Sequence, residues 1–223
     1  MRKFHLAIIM MIAACIMGAC DEHQEVIDLT LKVGNVYRGD GTIVPVQYHM
    51  QQGEAAPIAI GVLVAVGEKD DNYAALIMAL EDLEGRYWFT AKTADTKVNT
   101  DLVNFNGKEN TTILLSEYAE DETLDPMGAI MAGAYRAGGV AGWHLPSVAE
   151  MMEAAKNRQK VEESLRMLNA KNFDNEWYLT STADGTSDET ALRYNYCVIM
   201  PEGRIVGELK TEKHNVRPFM IIK

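Results

Sequence analysis

Apolar residues recur along this chain in several patterns, and each pattern predicts a different element. An uninterrupted apolar run, Leu6 to Met17 (LAIIMMIAACIM), follows a basic start at Arg2 and Lys3. At about a dozen residues it falls short of the roughly 20 a spanning helix needs. Its basic start, and the small residues Gly18 and Ala19 after it, have the form of a secretory signal. Further on, Val44, Val46 and Tyr48 alternate with Pro45 and Gln47, as in a half-buried strand. Pro57 to Val66 (PIAIGVLVAV) is continuous and rich in β-branched residues, which suits a buried central strand. Even positions from Leu192 to Met200 (Leu192, Tyr194, Tyr196, Val198, Met200) are apolar or aromatic, and Arg193 and Asn195 lie between them. That pattern predicts a strand over Ala191 to Met200 with its even face inward.

Helical spacing and punctuation mark other segments. Met127 to Ala137 is rich in small residues and ends at Gly138-Gly139, as a helix does. Ser147 and Glu150 have the spacing of a capping box, so Val148 to Lys156 reads as a helix, and Val161 to Leu168 as a second. Thr111 to Tyr118 reads as a short helix in an otherwise polar loop over 91–123. Gly34 to Tyr37 runs into Arg38-Gly39-Asp40-Gly41-Thr42, a glycine and aspartate turn. This reading also covers the Arg-Gly-Asp tripeptide inside it. Trp177 to Thr182 begins a second β region, Pro201 to Arg204 is a turn, and Ile205 to Leu209 and Val216 to Ile222 complete a C-terminal meander. Tyr73 to Leu83 is ambiguous, because its alanine, leucine and methionine favour helix by propensity.

Composition then narrows the function classes. The 223 residues are 48% hydrophobic and 24% charged, as in an ordinary globular protein. Acidic residues outnumber basic ones 32 to 21, for a net charge of −11. That disfavours nucleic acid and charge-driven docking to anionic lipid. Of three cysteines, Cys15 and Cys20 lie in the first twenty residues, and a disulfide scaffold is not expected. Cys20 directly follows a small-residue pair and resembles the cysteine of a bacterial lipobox, which is lipidated and becomes the mature N-terminus. Ile12 to Cys15 fits locally too, but leaves too short an apolar run before it. We read 1–19 as a lipoprotein signal, 20–31 as a tether and 32–223 as the folded domain. Losing Arg2 and Lys3 with the leader takes the net charge to about −13.

The segments after residue 32 resemble a known family. Gly142-Trp143-His144-Leu145-Pro146-Ser147 with Glu150 resembles the G-W-x-L-P-[ST]-x-x-E motif of bacterial C-type-lectin-like domains. These include the Lcl C-terminal domain family and, more distantly, the formylglycine-generating sulfatase-modifying enzymes. Tyr178 to Thr182 (YLTST) resembles their Y-W-S-S-T segment, and Val216 to Phe219 (VRPF) their closing V-R-P/A-V strand. Val33 to Thr42 and Pro57 to Val66 resemble the opening of Bacteroides-type lectin-like lipoproteins. The strand that follows in those proteins matches Leu76 to Leu80, so a strand is expected there. The resemblance implies an α+β fold, a C-type-lectin-like domain with antiparallel sheets and two or three helices. Trp143, Leu145, Pro146, Ser147, Glu150, Tyr178 and Arg217 would be its structural motif, with Arg217 paired in or near the core.

Chemistry is sparse. The chain has none of the GxxxxGK, GxSxG, HExxH, CxxC or GxGxxG patterns. The copper-holding cysteine pair of the related enzymes is missing, and Cys197 reads as a small buried hydrophobe. The calcium-and-sugar motifs E-P-N and W-N-D of animal lectins are missing too. Histidines 5, 23, 49, 144 and 214 show no ligand spacing, and His144 reads as a surface or packing residue. No catalytic residue, metal or cofactor is expected. By analogy with lectin-like folds the ligand face would be Arg193, Asn195 and Arg204, with the loop Asp184 to Glu189. The expectation is a lipid-anchored outer-membrane protein at the cell surface. It would adhere to, or act with fimbriae on, a protein or glycan ligand, and its partners would be fimbrial subunits or a host glycan or protein. Its rivals are a structural envelope lipoprotein without an external ligand and an enzyme on the sulfatase-modifying scaffold.

Overall fold

The computed structural model describes residues 27–68, 71–90, 97–118, 126–173 and 175–223. The expected leader, with Cys15 and Cys20, lies outside them. Two five-stranded sheets and a set of helices make an α+β fold, as the sequence implied. Among the described residues there are six α-helices, more than the two or three expected.

The first sheet is antiparallel and has the order β10-β4-β3-β1-β2. Its strands are β1 (Val36–Arg38), β2 (Ile43–Val44), β3 (Ala59–Val66), β4 (Ala75–Ala79) and β10 (Phe219–Ile222). β3 is apolar throughout because both of its faces are covered. Val62 and Val64 turn to one cluster with Leu76 and Met78, and Ile60 and Leu63 to another with Ile77 and Trp143. β4 is a strand despite its helix-forming composition, since β3 and β10 pair with it on both sides.

The second sheet has the order β5-β9-β6-β7-β8. Its strands are β5 (Leu83–Tyr87), β6 (Trp177–Ala183), β7 (Tyr194–Ile199), β8 (Arg204–Leu209) and β9 (Lys213–Val216). All pairs are antiparallel except β6 with β9. Pro218, which has no N–H, falls where the expected C-terminal strand divides into β9 and β10.

The helices are α1 (Val46–Gln51), α2 (Gly107–Tyr118), α3 (Met127–Ala134), α4 (Val148–Lys156), α5 (Arg158–Met167) and α6 (Asp188–Arg193). α4 packs on β3, β6 and β7, so it joins the two sheets over the largest apolar cluster. α2 and α3 cover the other face of the second sheet, over Trp88, Phe89 and Leu179.

Two expected strands are shorter than their patterns. Val46 and Tyr48 belong to α1, not to a strand. Pro45 ends the β2 ladder and suits a helix start. The Arg38 side chain ties α1 to β1 through His49 Nδ1 at 3.2 Å and Gln52 Oε1 at 2.6 Å. The Arg-Gly-Asp tripeptide is therefore a turn whose arginine is buried. Residues 191–193 belong to α6, which starts at a capping box of Ser187 with Thr190. β7 begins only at Tyr194 and is buried on both faces, with Val198 and Met200 on one side and Cys197 on the other.

Candidate functional site

The segment Trp143 to Glu150 is a buried joint. His144 exchanges both backbone hydrogen bonds with Phe219, at 2.8 and 3.0 Å, and so extends the first sheet past β10. Pro146 O accepts from Ser181 N at 2.7 Å, which ties the same segment to the second sheet. Ser147 then caps α4. Its hydroxyl accepts from Glu150 N at 3.3 Å, and Glu150 Oε2 accepts from Ser147 N at 2.8 Å. That oxygen also lies 3.1 Å from His144 Nε2, with both side chains buried. The residues Trp143, Leu145, Ser147 and Glu150 are buried here, and His144 is a packing residue.

The joint also holds the first turn of α2. Thr111 Oγ1 accepts from Leu145 N at 3.0 Å. Gly107 sits so close that an added Cβ would lie 2.0 Å from Glu150 Oε2 and 2.7 Å from Ser147 N. The preceding loop, 99–106, is braced from the same place. Asn110 accepts from Asn99 N at 2.8 Å and donates to Asn99 O at 3.2 Å, and Ser147 Oγ donates to Asn104 O at 3.3 Å.

A second polar knot lies between the sheets. Asp82, whose side chain is fully buried, accepts from Arg217 Nε and from Tyr178 OH at 3.0 Å, with Lys171 Nζ at 3.3 Å. The Arg217 guanidinium also donates to the Lys171 carbonyl at 3.0 Å. Sequence reasoning paired Arg217 in the core but did not find Asp82. That aspartate lies 135 positions away, in a stretch without a motif.

The expected ligand face does not assemble as one surface. Arg193 is exposed in the last turn of α6 and Arg204 is exposed on β8. In the β7–β8 register they stand at opposite ends, with Tyr194 on Leu209 and Ile199 on Arg204. Arg193 lies level with Lys210, six strand positions from Arg204, on the order of 20 Å. Asn195 is fully buried, not outward, because β7 is covered on both sides. Its Nδ2 donates to Tyr196 O at 3.1 Å and approaches Cys197 Sγ at 3.6 Å. In the loop 184–189, Asp184 accepts from Thr186 N, Thr186 Oγ1 and Tyr196 OH at 2.7 to 3.0 Å.

A spacious cleft lies elsewhere. It has a volume of about 840 Å³ and runs beside the end of β10, against the braced loop. Tyr73 and Phe105, with ring centroids 5.0 Å apart, form its apolar wall. Asn104, Asn106, Lys108 and Lys223 supply polar groups, and Asn106 Nδ2 is buried without a hydrogen-bond partner. A shallower recess of about 420 Å³ continues from it past Asp71, Asn72 and Tyr73. The only sequence signal for this cleft was the Asn-rich loop, which read simply as polar.

Reactive chemistry is not gathered in either place. Cys197 is buried, and burial pushes its thiol well above the ordinary range, so it stays protonated and unreactive. Among the described residues no group of three or more His, Cys, Asp or Glu side chains is placed to share a metal ion. Nor is any helix there long and apolar enough to cross a membrane.

The fold is shared with a fimbrial protein. A crystal structure of a fimbrial protein from Bacteroides ovatus ATCC 8483 superposes with a TM-score of 0.59, at 18% identity, over 85% of this chain. This chain spans 48% of that protein's length, about half. No protein-family model matches the sequence, and no curated protein matches it.

Proposed function

We propose that this chain is a lipid-anchored outer-membrane protein of the bacterial surface. Its C-type-lectin-like domain, residues 32–223, would serve recognition, in adhesion or in association with fimbriae. The observation that carries the reading is the fold shared with the B. ovatus fimbrial protein over most of the chain. The basic, apolar and small-residue leader of residues 1–19, directly before Cys20, supports the anchor, since several acyl chains on one residue hold a protein firmly at a membrane. The GWHLPS, YLTST and VRPF segments, in that order, support the lectin-like assignment.

The ligand in this reading is a protein side chain or a sugar ring, and the braced cleft suits either. Tyr73 and Phe105 offer apolar ring surface, while Asn106 and Lys108 offer donors that fix orientation. Arg193 and the exposed residues 185–189, behind which Asp184 is buried, would offer a second contact region.

The test is crosslinking and affinity capture of the native protein from intact cells. Recovery of fimbrial subunits, or of a host protein or glycan, is expected, and Tyr73→Ala with Phe105→Ala should reduce it. Recovery of periplasmic envelope components alone would overturn the recognition role in favour of a structural lipoprotein. Palmitate labelling that survives Cys20→Ser would overturn the anchor assignment.

A further inference from the structure

The four outer strands of the two sheets are not equally protected. β2 is two residues long. β10 is covered where His144 bridges Phe219. β5 shifts register against β9 between Leu83 and Arg86. β8 has none of these devices. Its six residues, RIVGEL, contain no proline and no lysine, and they pair with β7 in unbroken register. Long, regular edges of this kind are templates for another strand, and proteins ordinarily blunt them.

The backbone of β8 has a defined outer side. Lys210 N donates to Arg193 O at 3.0 Å, one step beyond the Leu209–Tyr194 pair. In an antiparallel ladder bonding alternates from residue to residue. Arg204, Val206 and Glu208 therefore turn their N–H and C=O toward β7, and Ile205 and Gly207 turn theirs to the free edge; at Leu209 the N–H already donates to Glu208 Oε1 at 2.8 Å and the C=O accepts from Glu212 N at 3.0 Å. The side chains of Arg204, Val206 and Glu208 share one face, opposite Ile199, Cys197 and Asn195 respectively.

That arrangement is complementary to itself. We infer that β8 is the pairing edge for a second copy of this chain, antiparallel about a two-fold axis through Val206. In this register Ile205 and the partner copy's Gly207 exchange backbone bonds in both directions, and symmetry repeats the exchange. Val206 meets the partner's Val206. Arg204 stands opposite the partner's Glu208, once on each side of the axis. Arg204 has no ion-pair partner among the described residues, and Glu208 uses one oxygen to accept from Leu209 N at 2.8 Å. Shifting the partner by two positions would set Val206 against Glu208 and Arg204 against Lys210, which is unfavourable. An edge of six residues buries little area, so the pair is a weak, reversible dimer. It joins two five-stranded sheets into one continuous sheet.

The test is register-specific. Facing residues that are not hydrogen-bonded to each other have Cα atoms about 4.5 Å apart, within disulfide reach. The full chain bearing Val206→Cys, purified in mild detergent and treated with a mild oxidant, should form a covalent dimer. The unmodified chain and a Lys213→Cys control on β9 should not. Adding Arg204→Glu to Val206→Cys should cut the dimer yield roughly threefold to tenfold, and adding Glu208→Arg as well should restore it. That rescue separates a pairing register from a folding defect. Equal dimer yield from Val206→Cys and Lys213→Cys would overturn the edge. A yield indifferent to Arg204→Glu would overturn the register.

Discussion

At Gly107 the difference between a hydrogen and a methyl group decides whether the Ser147–Glu150 joint can close. A Cβ there would overlap Glu150 Oε2 and press on Ser147 N, neither of which is the free end of an exposed side chain. Gly107→Ala should therefore destabilise the protein by about 1–3 kcal/mol, the usual cost of overpacking. Urea unfolding would measure it, and a loss below about 0.5 kcal/mol would show that α2 shifts freely. The buried carboxylate of Asp82 poses the opposite problem. Removing it with Asp82→Ala strands the Arg217 guanidinium among buried rings and carbonyls. A loss of about 3–5 kcal/mol is expected. With Asp82 in place, Arg217→Lys should also lose stability, because one ammonium cannot reach both Asp82 and the Lys171 carbonyl; urea unfolding of both variants checks this. Residues such as these mark the limit of what the sequence discloses. Ser147 and Glu150 are three apart and announce their own contact. Gly107 and Asp82 act on partners 40 or more positions away and carry no local pattern.

Elements show the same division between local and distant causes. α4 was legible because its capping box lies within four consecutive residues. The capping box of α6 was equally local, as Ser187 to Thr190 (SDET), but the apolar alternation running into Leu192 pointed to a strand. β5 had no alternation to read, and it exists because β9 pairs with it. The cleft was hidden for a related reason. Its wall, 99–106, is a loop without periodicity, and Asn110 and Ser147 hold it from other elements. Capping strength should track burial. Ser147→Ala removes a cap that is fully buried and also holds Asn104 O, so about 1–2 kcal/mol should be lost. Ser187→Ala removes an exposed cap from a helix of six residues and should cost about 0.5 kcal/mol. Thermal unfolding of both variants checks the order, and a reversed order would mean that α6 matters more to the core than its exposure implies.

At the scale of the whole molecule, two histidines, His49 on α1 and His214 on β9, make stability depend on pH in the same direction. Burial pushes His49 below its ordinary range, and the Arg38 guanidinium beside its Nδ1 adds to the effect. Burial also pushes His214 down, although Glu208, Glu212 and Glu176 oppose the shift, and its ring stacks on Trp177 at 5.2 Å. Each is a base whose folded pKa lies below the unfolded value of about 6.5. As pH falls, the unfolded chain takes up these protons first, so the unfolded state gains. Their contribution is fully present above about pH 6.5 and is lost progressively as pH falls from there through the lower folded pKa values. Neither group is lysine-like, so nothing comparable happens on the alkaline side from these two. The urea midpoint should therefore be level from pH 8 to 7 and decline toward pH 5.5. The carboxylates of Asp40 and Asp101, which their hydrogen bonds hold below the usual range, release their share only in more acid solution. His49→Gln keeps an acceptor for Arg38 and His214→Gln keeps a polar side chain at the sheet, so the double variant should flatten the decline above pH 5.5. A midpoint that still falls just as steeply in the double variant would place the responsible protons on other groups.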